Sequence, residues 1–343
     1  MWQRIDPGSA GFAPDLAERL DALVEEGRAP GLHGVVVTRH GRLVLERYGR
    51  GEDYAWNAPL GVVDFGPETR HDIRSVTKSV VGLLYGVALA AGLVPEPNEP
   101  ILRHFPEHAD LAADPGRAAL TVEHALTMTL GLEWDESAPY TGPENSEIAM
   151  EMAEDRYRFV LERPIVEEPG KQWSYSGGAA ALVGGLIARG TGRPLEEFAR
   201  DALFAPLGIT SFEWMTGEDG VASAASGLRL APRDLARIGQ AVLDAEVIPA
   251  SWVAETLRPR VPTWDGFSYG YLWHVGPGER PGSRPGEPSF WRAMAAGNGG
   301  QRLFLFPDLD LVVAVTAGAY NAGEQDAAAR AVLDEVLLPA LTS

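Results

Sequence analysis

Ser75-Val-Thr-Lys78 sets a hydroxyl and an amine three residues apart at the mouth of an apolar run. On a helix, residues i and i+3 share a face, so the two side chains can meet. The helix N-terminus adds the positive end of its dipole and free N–H groups beside the serine, which suits an acyl oxyanion. The chain holds only two lysines, Lys78 and Lys171, against 27 arginines. An amine can lose its proton near neutrality and a guanidinium cannot. Sinking Lys78 into an apolar interior is expected to lower its pKa and make it a base for Ser75, whereas Lys171 is expected to have only a surface role. The bland alternative is a capping serine followed by a solvated lysine. The run Ser79–Val94 is apolar all round, however, and leaves Lys78 no obvious solvent face.

Two other segments carry compatible chemistry. Lys171-Gln-Trp173-Ser-Tyr175-Ser176-Gly177 puts a tyrosine on a loop just before a helical pattern at Gly178–Arg189. A phenol beside a lysine can shuttle a proton to a leaving group, although a tyrosine there can also simply pack. Ala296-Gly297-Asn298-Gly299-Gly300-Gln301 links two strand-like runs. Its glycines let a backbone approach a ligand closely, and an exposed strand N–H there can complete an oxyanion hole; the alternative is an ordinary glycine-rich turn. Trp56, Trp134, Tyr140 and Trp173 lie on loops beside these motifs and are candidates for lining a cleft, with ordinary aromatic packing as the alternative.

The elements that must position these residues follow from periodicity. Helical spacing is predicted at Pro14–Glu26, and strands at Gly34–Arg39 and Leu43–Tyr48 joined through His40-Gly41. After the buried helix Ser79–Val94, the pattern is mostly helical to about residue 225, with helices predicted at Val122–Thr129, Asn145–Leu161, Gly178–Arg189 and Pro194–Phe204. Strands return at Gly270–Val275, Trp291–Ala296, Gln301–Phe306 and Leu311–Thr316, and an acidic amphipathic helix, Gln325–Leu338, closes the pattern. Strands at both ends thus bracket a helical middle. The fold class expected is α+β: an antiparallel sheet flanked by terminal helices, with an inserted all-α domain. The boundaries read as residues 1–78 and 226–343 for the sheet domain and 79–225 for the helical one, with the site between them.

Composition excludes other classes. Acidic residues exceed basic ones 48 to 29, a net charge of −19, and no cluster of basic residues relieves it. Neither nucleic acid nor a membrane surface is an expected partner. The absence of cysteine removes thiolate nucleophiles, disulfides and thiolate metal sites together. His104-Phe-Pro-Glu107-His108 has the spacing of an inverted zinc-protease motif, but Pro106 breaks the helix that would carry both histidines on one face. There is no G-x-S-x-G elbow, phosphate loop or dinucleotide fingerprint. No metal or cofactor is therefore expected. Nothing near Met1 reads as an export signal, so the expected location is the cytoplasm.

In order and interval, the three motifs resemble those of the penicillin-binding-protein and class C β-lactamase-like serine hydrolases. The resemblance extends over nearly the whole chain, through His124–Trp134 (HALTMTLGLEW), Pro206-Leu-Gly208, Ala225–Leu235 (ASGLRLAPRDL), Val247–Val253 (VIPASWV) and Gly299–Asp310 (GGQRLFLFPDLD). The branch it looks most like contains esterases and 6-aminohexanoate-dimer hydrolases. The resemblance implies a β-lactamase/transpeptidase-like fold, with Ser75 as the acylated nucleophile, Lys78 as its partner base and Tyr175 as a second acid/base. It implies an oxyanion hole formed by the backbone N–H groups of Ser75 and Gln301, with Asn298, Gly299 and Gly300 beside the substrate. Two departures stand out. The family's Y-x-N has Gly177 in place of asparagine, and its K-T-G or H-x-G has Asn298 in place of the cation. Both losses weaken recognition of a peptide-like amide and its carboxylate, so β-lactamase or peptidoglycan peptidase activity is expected to be weak or absent. A small ester or amide is the expected substrate. Acyl transfer on the same machinery, or a non-catalytic binding protein on this fold, are the other readings.

Overall fold

The computed structural model describes residues 2–263, 266–278 and 290–342. Helix α1 (Leu16–Glu25) buries Leu16, Leu20 and Leu23 along one face. Strands β1 (Leu32–Arg39) and β2 (Arg42–Tyr48) form the expected hairpin, and His40 and Gly41 take the positive φ that its tight turn requires. β3 (Arg50–Ala55) and β4 (Ala58–Asp64) make a second, separate hairpin that no sequence pattern announced. Most of β4 is exposed, so no alternation of apolar and polar residues marks it.

The short β5 (His71–Asp72) pairs with β7 (Leu228–Leu230), which also pairs with β6 (Glu213–Trp214). Six later strands complete the main sheet: β8 (Val261–Pro262), β9 (Ser268–Tyr269), β10 (His274–Gly278), β11 (Phe290–Gly297), β12 (Gln301–Phe306) and β13 (Leu311–Ala317). Its order is β2-β1-β13-β12-β11-β10-β9-β8, antiparallel at every step. Both faces of its centre are covered, which explains why β1, β12 and β13 are buried along their whole length. Strand alternation divides the side chains: Val35, Val37, Phe304, Phe306, Val313 and Val315 face a core closed by α1 and the C-terminal helical run 327–340. Val36, Leu303, Leu305, Val312 and Ala314 face the larger core, which holds α2 (Val76–Ala90). Helices α3 (Ser146–Glu151), α4 (Arg156–Leu161), α5 (Gly177–Thr191) and α6 (Pro232–Asp244) contribute to the same core.

Some predicted elements break where polar anchoring overrides periodicity. The single helix expected over Asn145–Leu161 is two, α3 and α4, because Asp155 recaps the chain by accepting the Arg158 N–H at 2.9 Å. The Arg156 side chain then turns inward to Glu151 and Asp219, at 3.0 and 2.5 Å. The strand expected over Gly270–Val275 is interrupted at residues 270–273, where a side chain at Gly270 would meet the Thr256 carbonyl at 2.1 Å. The helix expected from Pro194 starts at Leu195 and widens to a π turn over Arg200–Phe204; the terminal helix widens likewise over Val332–Leu337.

A buried polar pair lies beneath the turn that leads into α2. His71 Nδ1 lies 3.0 Å from the Asp72 carbonyl, which can only accept, so Nδ1 carries the proton and His71 Nε2 accepts from His33 Nδ1 at 2.9 Å. Burial lowers both imidazoles, His33 to about 4 and His71 to about 3, so both are neutral in the folded protein. In the unfolded chain they take up protons around pH 6.5. Their contribution is therefore intact above about pH 6.5 and lost as the pH falls toward those lower values, with a slope of at most about 1.4 kcal/mol per pH unit for each histidine. His71→Gln keeps a donor and an acceptor but cannot charge. Urea unfolding at pH 7, 6 and 5 should show a shallower loss of stability in this variant than in the wild type; parallel slopes would mean that the pair does not govern acid sensitivity.

Candidate active site

Ser75 opens α2 after a strained turn. Arg74 has φ 49, a conformation that costs a non-glycine residue of order 1 kcal/mol and needs external support. Asp72 supplies much of it. One carboxylate oxygen accepts the Arg74 N–H at 2.9 Å; the other accepts the Trp56 N–H at 2.8 Å and lies 3.2 Å from the Arg74 guanidinium. That guanidinium also donates to the Trp56 carbonyl and lies over the Tyr320 ring, 4.6 Å from its centre. Gly297, at the end of β11, closes against the same turn. A side chain there would meet the Ile73 carbonyl at 2.4 Å and the Arg74 Cβ at 3.2 Å, so only glycine lets the strand approach.

The Ser75 side chain makes no capping bond, and the Lys78 side chain is 1% exposed, which excludes the capping-serine and solvated-lysine reading. Lys78 Nζ lies 2.9 Å from Ser75 Oγ, 2.8 Å from Glu147 Oε2 and 2.8 Å from the Ala225 carbonyl. The expected fall in the Lys78 pKa is not what this environment produces. Burial pushes it down, but opposing negative charge, from Glu147 first, outweighs burial and raises it above the ordinary lysine value. Lys171, by contrast, is a surface residue 3.7 Å from Glu168.

Tyr175 stands just ahead of α5 and lines the same cleft as Ser75, with its ring centre 4.9 Å from Lys78 Nζ. Burial raises its phenol, opposed first by Lys78, and it stays protonated. Ser75 and Tyr175, from distant parts of the chain, meet in a cleft of about 350 Å³, walled by Glu136, Tyr140, His274, Asn298 and Arg302 among others, with Lys78 buried behind Ser75.

Several of these groups were not picked out from the sequence. Glu136 accepts from Trp134 Nε1 at 2.6 Å, from the Gly177 N–H at 2.5 Å and from the Tyr140 hydroxyl at 2.7 Å, and burial followed by the nearby Glu147 raises its carboxyl. Glu147 comes from α3, where Asn145 caps its N–H at 3.0 Å and the Ser226 hydroxyl donates to its other oxygen at 2.9 Å. His274 is held neutral, its pKa lowered to about 4 by burial and then by Arg302. Arg302 brings a cation to the cleft wall four residues beyond Asn298, but its guanidinium is engaged by the Gly297 and Gln301 carbonyls, at 2.9 and 2.7 Å, and by Asp326.

The glycine-rich segment is set differently from the sequence expectation. Gln301 is fully buried and does not line the cleft; its side-chain amide bonds both the N–H and the carbonyl of Ala317, at 3.1 and 2.5 Å. Gly299 and Gly300, at φ 89 and 91, turn the chain behind the cleft wall. Asn298 faces the cleft, with its side-chain oxygen accepting the Asn321 N–H at 3.0 Å. The backbone N–H groups of Ser75 and Asn298 have no acceptor among the described residues, and both residues line the cleft. Of the four aromatic candidates, Tyr140 lines it. Trp134 holds Glu136, Trp173 packs on Tyr175 with ring centres 6.0 Å apart, and Trp56 bonds Ser226 at 2.8 Å, each behind the lining.

With sheet, helices and cleft in place, the chain belongs to the beta-lactamase family, whose model matches residues 16–337. It is 30% identical over 229 residues to esterase EstB of Burkholderia gladioli, covering 62% of this chain but only 56% of that protein. It is 25% identical over 328 residues to the 6-aminohexanoate-dimer hydrolase of Paenarthrobacter ureafaciens, covering 88% of this chain and 74% of that one. In three dimensions it resembles EstCE1, described as a hydrolase with promiscuous acyltransferase activity, with a TM-score of 0.73 over 96% of this chain and 99% of that one; the 16% identity makes this a likeness of fold. Among the described residues, no helix is long and apolar enough to cross a membrane.

Gly297→Ala should force β11 away from the Arg74–Ser75 turn and lower kcat/KM on an activated ester by about 10², as small misplacements of reacting groups do. Gly8→Ala, which adds a methyl group in open space, should leave the rate unchanged. A Gly297→Ala enzyme with wild-type kcat/KM would show that this close approach does not set Ser75 for reaction.

Proposed function

We propose that the protein is a serine hydrolase acting on carboxylic esters or small amides through an acyl-enzyme on Ser75. The observation that carries this reading is Ser75 Oγ 2.9 Å from Lys78 Nζ, in a cleft that Tyr175 also lines. Ser75 Oγ adds to the substrate carbonyl carbon. Its proton passes to the Tyr175 oxygen as Tyr175 gives its own proton to the departing oxygen or nitrogen, so the phenol ends the step protonated. Negative charge on the carbonyl oxygen is met by the free N–H groups of Ser75 and Asn298, which replace the Ser75–Gln301 pair expected from the sequence. In the second half, water adds to the acyl carbon and gives a proton to Tyr175 as Tyr175 gives its own to Ser75 Oγ; the acyl–Oγ bond breaks and the acid leaves. An alcohol or amine in place of that water gives acyl transfer by the same balance. The names of the esterase and dimer-hydrolase relatives agree with ester and amide chemistry.

Asn298 offers a neutral amide where the family's third motif carries a cation, and Arg302 is already engaged. Neutral short-chain esters are therefore preferred over carboxylate-bearing lactams, since a charge-assisted bond is roughly twice as strong as a neutral one.

Incubation with a p-nitrophenyl ester should add acyl mass to Ser75 alone, and both Ser75→Ala and Tyr175→Phe should lower kcat by at least about 10². Benzylpenicillin should be turned over far more slowly than the ester. Acylation of another residue, or full turnover in Ser75→Ala, would overturn the reading.

A further inference from the structure

A side chain built on Gly177 would place its Cβ 2.5 Å from Glu147 Oε2, 2.9 Å from its Cγ and 3.0 Å from its Cδ. Gly177 is the position at which the sequence departs from Y-x-N, and the space is occupied by a carboxylate from α3, 30 residues earlier in the chain. We propose that Glu147 is a positioning residue of this site: it fills the place of a side chain at 177, fixes Lys78 as an ammonium against Ser75, and leaves Tyr175 to move the proton. This rests on the acyl-enzyme reading above.

Hydrogen-bond counting alone does not settle the state of Lys78. An ammonium can donate to Ser75 Oγ, Glu147 and the Ala225 carbonyl; a neutral amine can donate to the last two and accept from Ser75. Charge decides between them. The Glu147 side chain is 2% exposed, and among the described residues Lys78 is the only cation paired with it. A neutral Lys78 would leave that carboxylate buried without a counter-ion, which is the costlier arrangement. The groups facing Lys78 from other elements are Glu147 on α3, Tyr175 ahead of α5 and Glu136 in the loop before α3; none is cationic. Glu136 is hydrogen-bonded to Tyr140, and Glu151 lies one turn beyond Glu147, paired with Arg156. With the Lys78 charge fixed, Ser75 Oγ accepts from Nζ, and its own hydrogen is free for the Tyr175 oxygen.

Having only two lysines makes this directly measurable, since Lys171 is exposed and serves as an internal reference. In protein labelled with ¹³C at the lysine side chains, the Lys78 ε-carbon should show no titration below pH 10 in the wild type. In Glu147→Gln it should titrate at least about two pH units lower, as buried lysines without a counter-charge do. The variant's kcat/KM should fall at least about tenfold at pH 7, and its pH profile should acquire the Lys78 ionisation. An unshifted Lys78 titration, or a shifted titration with unchanged kcat/KM, would overturn the proposal.

A second pair of variants tests the shared space and guards against simple misfolding. Gly177→Asn alone should collide with Glu147 and lose activity. Glu147→Ala combined with Gly177→Asn should recover at least about tenfold over Gly177→Asn. A double variant no better than the single one would refute the exchange of space. Failure of the acyl-enzyme reading would show separately, as the absence of acyl mass on Ser75 in the wild type, whereas the lysine titration needs no turnover.

Discussion

A buried ammonium must be answered by charge, and much of the site is arranged around that requirement at Lys78. Removing a charge from water costs several kcal/mol even after the surroundings relax, and a single well-placed carboxylate with full hydrogen bonding is what offsets it. Glu147 provides the carboxylate, but it is held there by others. Asn145 caps the turn that carries it, the Ser226 hydroxyl donates to its second oxygen, and Trp56 donates in turn to Ser226. The Lys78–Glu147 pair beside Ser75 is thereby tied to α3, to the segment before β7 and to the turn of the β3–β4 hairpin.

Asp72 has a matching role in the layer below. Trp56 and Arg74 both adopt positive φ, at 55 and 49, and both direct their N–H groups to this one carboxylate. Two strained turns, the first before Ser75 and the second at the hairpin, are thus locked to each other through a fully buried side chain. The hairpin is open to solvent over most of β4, yet its turn helps to set the backbone ahead of Ser75.

What could be read from the sequence divides along physical lines. Short-range patterns were legible: Ser75 and Lys78 share a helix face by spacing alone, β12 has its predicted bounds, and α1, β1, β2, β11 and β13 lie within a few residues of theirs. Tyr175 was recognisable only through its order and interval relative to the other motifs. Glu147 was not legible, because it is 69 residues from Lys78 and sits at the start of what reads as one long amphipathic helix. The one signal for it was Gly177, a missing side chain whose complement lies elsewhere in the chain. That Asn298 rather than Gln301 lines the cleft has a similar origin. Period-two alternation places a strand but not the few residues of a glycine-rich turn, and here the turn is set by the Gln301 amide gripping Ala317.

The shared space at Gly177 and Glu147 also bears on descent. If Glu147 has the role proposed for it, an amide at 177 and a carboxylate at 147 are alternatives, and changing either alone carries a cost. Gaining a side chain first meets a buried acid; losing the acid first strands a buried cation. On the proposed role of Glu147, the two positions form an epistatic pair. In related chains, Gly at 177 with Glu at 147 should be inherited as a unit, whereas the residues of the cleft walls remain free to drift with substrate.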